Sequence, residues 1–182
     1  MASRFLTTLG LAHQIHEGFY PGSISSRQNN PGNIRFNESL ARFYGAIKGD
    51  SGFARFPTYQ AGFKALLDDI SAKICGKSRH IDYSKNPTFL TYVKVYAPTE
   101  DNNNPLAYCE YLCSRLLEYG VRPETPLSQM CQLVNGQVPE PVVNISPEAK
   151  LKGLERRLEN TENPSAKNVI LGVIGRLKKR FT

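Results

Sequence analysis

The residues best suited to chemistry cluster early in this 182-residue chain, in HQIHEGFYPGSISSRQNNPGNIRF, residues 13–36. The stretch holds one carboxylate, Glu17, two histidines, His13 and His16, and a loop rich in Asn, Gly and Pro. A carboxyl group next to an apolar run and followed by Phe19 and Tyr20 is expected to be partly desolvated. Desolvation disfavours the charged form and raises the pKa, which leaves a protonated acid near neutral pH. That is the state a general acid needs, and it suits donation to a glycosidic oxygen. The plainer alternative is a solvated glutamate at a helix end. His13 and His16, three apart, could share a helix face, but His80 is remote and no third ligand has a matching spacing, so neither a metal nor another cofactor is expected.

The flanking elements follow from periodicity. Phe5, Leu9, Ala12 and His16, with Leu6 and Ile15 beside them, predict a first helix that Gly18, Pro21 and Gly22 end, placing Glu17 at its C-terminus. Residues 20–36 read as a turn-rich loop, since Pro31-Gly32 and the Asn residues favour tight turns and positive φ. Residues 42–56 contain short β-compatible pieces around Gly45, Gly49 and Gly52, a small hairpin region. Thr58 is a plausible N-cap for a helix through Phe63, Leu66, Leu67, Ile70 and Ile74. Further helices are predicted from Pro87 to about Tyr96, from Pro105 to Leu117, and from Leu127 to Leu133 with Ser128 near its start. The fold class expected is mainly α with a small β-hairpin lobe.

No apolar run reaches the roughly 18 residues that a membrane-spanning helix needs. Met1 to Ala12 is a weak signal-peptide candidate, its apolar part interrupted by Thr7, Thr8 and Gly10, and reads as part of the first helix; synthesis in the cytoplasm without a Sec signal is the expectation. Cys75, Cys109, Cys113 and Cys131 lack zinc-site spacing and read as reduced core cysteines. Residues 1–136 carry 14 Lys and Arg against 11 Asp and Glu, and the last 46 carry 9 against 5, so the basic bias lies in the tail. A Pro-containing linker is expected from near Gly136, then a helix capped at Ser146 and a basic amphipathic one, NVILGVIGRLKKRF. That helix either docks its apolar face or meets an anionic wall or membrane surface. A nucleic-acid partner is not expected, because the main domain has little net charge and no basic, aromatic-interleaved motif.

Four motifs occur in order: Glu17-Gly18-Phe19; Asn29-Asn-Pro-Gly-Asn-Ile34; Gly52-Phe-Ala-Arg-Phe-Pro-Thr-Tyr-Gln-Ala-Gly62; and Tyr96-Ala-Pro followed by Asn104-Pro105 and Tyr108. Together they resemble the lysozyme-like superfamily that includes goose-type lysozymes, soluble lytic transglycosylases and autolysin glucosaminidases. They are most similar to phage and prophage peptidoglycan-degrading domains. The resemblance spans roughly residues 5–135 and leaves the tail uncovered. It implies a helical lobe and a hairpin lobe across a substrate groove, with Glu17 as the acid that protonates the oxygen bridging MurNAc and GlcNAc. It also implies that Asn30, Gly32 and Asn33 line the groove floor and that Tyr96 sits near the scissile bond, where it contacts the sugar or orients the acid. Gly18 departs from the Ser that often follows the glutamate in this group.

The second carboxylate is not fixed by the resemblance. Asp50, before the second long helix, is the first choice for activating water, and Glu38 is the other groove-facing candidate; a solvated loop position is the alternative for both. The sequence therefore leads to the expectation of a monomeric enzyme that cuts peptidoglycan glycan strands at the cell wall, in the periplasm or from a virion. The rival is a glycan-binding or virion structural module on the same fold.

Overall fold

The computed structural model describes residues 2–137 and, beyond them, Glu155, Leu158, Lys167, Leu171, Gly172 and Ile174, which are helical. The chain divides into two compact units, Met1–Val138 and Pro139–Thr182. The expected linker and most of the basic tail helix lie outside the described residues. The first unit is mainly helical with one two-stranded antiparallel sheet.

Helix α1, Arg4–His16, starts where the Ser3 hydroxyl accepts from the Leu6 N–H and donates to the Leu133 carbonyl. It buries Phe5, Leu6, Leu9, Ala12 and His13. A short helix α2, Ile24–Arg27, and α3, Glu38–Tyr44, follow, capped by Ser23 and Asn37 through side-chain oxygens. Strands β1, Ile47–Lys48, and β2, Ala54–Arg55, pair with Ile47 opposite Arg55 and Lys48 opposite Ala54. Helix α4, Tyr59–Ile74, begins at the expected Thr58 cap. Then come α5, Phe89–Tyr96, α6, Pro105–Arg115, and α7, Leu127–Val134.

Both α2 and α3 are additions to the sequence reading, and Arg42, read as β-compatible, lies in α3. Their few residues hold too little periodicity to register as helices, although Asn37 and Ser23 are ordinary capping residues. Helix α7 opens at the expected Leu127, after Pro126, and runs one residue further than expected, to Val134.

Two apolar clusters share α4. The larger joins α1, α4, α5, α6 and α7 around Leu9, Leu66, Ile70, Tyr92, Leu112 and Met130, and the smaller joins Leu40, Ala46, Ala54, Phe56 and Ala65 under the hairpin. A fully buried side chain of this size contributes roughly 1.5–3 kcal/mol of transfer free energy, so the larger cluster dominates stability. Ile34 packs against both clusters and so anchors the end of the loop that carries Asn30 and Asn33.

Cysteine pairing differs from the sequence reading. Cys75, the C-cap of α4, is joined to Cys131 of α7 in a disulfide across 56 residues, whereas Cys109 and Cys113 lie outside any disulfide and are buried in the core as expected. Nothing local in the sequence marks the pair, because only the packing of α4 on α7 brings the two Cα atoms to 5.0 Å.

Candidate active site

Glu17 is the C-cap of α1, its N–H bonded to the His13 carbonyl at 2.8 Å. The chain leaves the helix through Gly18 at φ +70, a left-handed conformation that glycine adopts without a Cβ penalty. This accounts for glycine where a serine would be strained.

The Glu17 carboxyl is held at both oxygens. The Tyr108 hydroxyl donates to Oε1 at 2.8 Å, and Asn33 Nδ2 donates to Oε2 at 3.0 Å and to the Glu17 carbonyl at 3.2 Å. Burial raises the pKa, and the hydrogen bonds from Tyr108 and Asn33 oppose that rise without cancelling it. The C-terminal end of α1 is also the negative end of its dipole, which disfavours the carboxylate further. Among the described residues no Lys or Arg forms an ion pair with Glu17.

Beneath the carboxyl lies an aromatic layer. His13 is fully buried, with Nδ1 2.7 Å from the Tyr108 hydroxyl and Nε2 2.8 Å from the Tyr92 hydroxyl. His16 stacks on Tyr108 with ring centroids 3.8 Å apart, and partial burial lowers its pKa. Both rings are engaged with tyrosines, and no group of three or more His, Cys, Asp or Glu among the described residues could hold a metal ion.

An open cleft of about 460 Å³ lies in front of Glu17, lined among others by Gly18, Tyr20, Ser23, Arg27, Asn33 and Phe53. Tyr20 and Ile24 are exposed at its edge. Glu17 is the sole carboxylate among the described residues that line it. A larger hollow of about 600 Å³ beside Ser3, Leu67 and Asn135 contains only the ion-paired Lys64 and Asp68 as charged groups, so it lacks a free acid or base.

Of the expected site residues, the structure brings Glu17 and Asn33 together. Asn33 reaches the carboxyl from a left-handed backbone, φ +46, which Asn tolerates. The others are corrected as follows. Asn30 is not a groove contact: it is 1% exposed, and its amide donates to the Ile34 and Ala54 carbonyls while accepting from the Ile34 N–H, all at 2.9 Å. Its donors and acceptor are consumed in tying the loop to β2. Gly32 faces inward as well, since a Cβ there would lie 2.6 Å from Leu66 Cδ1, so glycine serves helix packing and not approach to a sugar. Tyr96 donates to the Gly32 carbonyl at 3.0 Å and supports that turn, and its hydroxyl has no hydrogen bond to Glu17.

Asp50 lies exposed in the hairpin turn, 3.7 Å from Arg55, and lines no part of the cleft. Glu38 is an exposed first-turn residue of α3 and lines none either. An Asp beside a turn is equally compatible with both faces in sequence; here its own N–H donates to Gln28 Oε1 and its carboxylate turns to Arg55 in solvent.

Tyr108, His13 and Tyr92 are the residues that sequence reasoning missed as a unit. His13 and Glu17 are four apart on one helix and so share a face, a signal that was available. Tyr108 read as a core position of α6 because helical period shows burial and not which hydroxyl meets the acid. No protein-family model, curated protein or solved structure matches the chain.

Proposed function

We propose that this chain is a peptidoglycan-degrading glycosidase of lysozyme-like fold, with Glu17 as its general acid. The observation that carries the reading is a half-buried carboxyl of raised pKa, with no Lys or Arg ion-paired to it among the described residues, at the wall of an open cleft. Such an acid stays protonated to higher pH than an exposed carboxyl and can protonate a bridging glycosidic oxygen as the C1–O bond breaks. Asn33 holds the carboxyl, and Phe53 and the exposed Tyr20, which line the same cleft, offer apolar surface on which a sugar ring can rest.

Glu17 is the sole carboxylate among the described residues of the cleft, which favours a nucleophile that belongs to the substrate. Either the acetamido oxygen attacks C1 to give an oxazoline that water then opens to a reducing-end product, or the 6-hydroxyl attacks C1 and Glu17, now ionised, takes the hydroxyl proton to give a 1,6-anhydro product. Action on glycan strands at the wall, in the periplasm or from a virion, and a basic tail that favours anionic envelope polymers, belong to the same reading.

Digestion of purified peptidoglycan by the wild type and Glu17→Gln, with mass spectrometry of the released muropeptides, tests it. Release by the wild type alone is expected; products lighter by one water mark attack by the 6-hydroxyl, and ordinary reducing-end products mark attack by the acetamido oxygen followed by water. Equal release by both removes Glu17 from the mechanism; no release by either leaves a glycan-binding module.

A further inference from the structure

The chemistry above uses Glu17 and Asn33 and leaves unused the histidine buried under them. His13 has both ring nitrogens in hydrogen bonds, to Tyr108 and Tyr92. Burial, with His16 and Lys73 nearby, lowers its pKa to about 3, so the ring is neutral at neutral pH and carries one N–H. Tyr92 and Tyr108 keep their protons, because burial first and neighbouring groups second push both phenols well above their usual range.

The proton positions then follow from donor and acceptor capacity. An ionised carboxylate only accepts, so Tyr108 donates to Glu17 Oε1 and its oxygen accepts from His13. The ring proton therefore sits on Nδ1, and the bare Nε2 accepts from the Tyr92 hydroxyl. Each proton in the chain Tyr92, His13, Tyr108, Glu17 has an acceptor. In the reverse direction, Glu17 Oε1–H donates to Tyr108, Tyr108 to Nδ1, and Nε2–H to Tyr92. That leaves the Tyr92 proton with no acceptor among the described residues, inside a fully buried site. The forward direction is thus preferred even when Glu17 is protonated.

We propose that His13 is a positioning residue: held as the Nδ1–H tautomer between Tyr92 and Tyr108, it keeps Glu17 Oε1 as an acceptor and so assigns the transferable proton to Oε2. Oε2 is the oxygen beside Asn33, which lines the cleft with Glu17. The inference rests on Glu17 being the acid, and it adds which of its oxygens delivers the proton. The titratable groups around the pair are His16 on α1, Asp69 and Lys73 on α4, which pair with each other, Tyr92 and Tyr96 on α5, and Tyr108 on α6.

NMR of the full chain, with 15N-histidine and 13C-carboxyl glutamate, tests this without reference to activity. The His13 signals are expected to show a protonated Nδ1 and an unprotonated Nε2, constant across neutral pH. The opposite tautomer, a mixture or an imidazolium overturns the proposal. Tyr108→Phe and His13→Leu should move the Glu17 carboxyl midpoint upward, whereas His13→Asn, which returns a donor toward Tyr108, should hold it near the wild-type value. A midpoint that stays put in Tyr108→Phe also overturns the proposal, and that arm together with the wild-type tautomer suffices if the His13 variants fail to fold. Failure of the acid reading shows separately, as peptidoglycan left intact by the wild type, and the NMR arms then still decide the direction of the chain.

Discussion

Glu17 and Asp50 are both carboxylates at the ends of local elements, yet their surroundings differ in kind. Glu17 ends a core helix over a buried layer of tyrosines and histidine, takes one hydrogen bond at each oxygen and forms no ion pair among the described residues. Asp50 sits in a hairpin turn with its side chain 59% exposed, and its nearest charge is a guanidinium that is 48% exposed. Burial raises the pKa of the first carboxyl, and its hydrogen bonds from Tyr108 and Asn33 oppose that rise only in part. The second lies in solvent beside a guanidinium, and so exposed an ion pair is worth little. The helix beneath the carboxyl sets its burial and its hydrogen bonds, and proximity to a loop is not enough to supply them.

The comparison is broken or sharpened most strongly at Glu17 itself. Glu17→Gln is expected to reduce muropeptide release by about 10²–10⁴-fold, the range for loss of a general acid. Its effect on stability has a definite pH dependence. Because the folded pKa is raised, the native state binds more protons than the unfolded state from the unfolded value, about 4.3, up to the folded one, and wild-type stability falls as pH rises through that window. The glutamine variant lacks this slope, so its stability relative to wild type should rise between acid and neutral pH in urea unfolding. A variant that gains nothing with pH would mean that Glu17 is no more desolvated than Asp50.

Asn30→Ala cuts the joint between the two regions. It strips partners from the Ile34 N–H and from the Ile34 and Ala54 carbonyls and should cost roughly 2–4 kcal/mol in denaturant unfolding. A stable variant with weakened glycan binding would instead return Asn30 to the groove. Tyr96→Phe removes one donor from the Gly32 carbonyl, a loss of about 1 kcal/mol, and should raise KM more than it lowers kcat, since the turn that presents Asn33 loosens while the acid keeps Tyr108. Asp50→Asn should be the mildest, within about 0.5 kcal/mol in stability and close to wild type in release. A large loss of release there, at unchanged stability, would make Asp50 a working partner of Glu17 and erase the contrast.

Much of the frame was legible in the sequence because it is carried by periodicity and caps: α1, α4 with Thr58, α6 with Pro105, and Glu17 at the end of the first helix. What was not legible depends on how elements cross. Tyr96 and Tyr108 occupy equivalent-looking core positions, and only the packing of α1 against α5 and α6 decides that Tyr108 meets the acid while Tyr96 meets Gly32. Asn30 and Asn33 are three apart in one polar loop, and the reversal of the backbone at Asn33 sends one amide to the scaffold and the other to Glu17. Composition marks such a loop as polar without saying which amides are already satisfied.

The Cys75–Cys131 bond gives the site an unequal covalent topology. Tyr92, Tyr96 and Tyr108 all lie inside the closed ring of chain, whereas His13, Glu17 and Asn33 lie on the open arm before it. A single backbone cut within the ring leaves both pieces joined through sulfur, so the tyrosines stay tethered to the rest of the molecule. One cut between residues 34 and 74 frees the arm, carrying the acid and its amide partner away from their aromatic support once the noncovalent packing gives way.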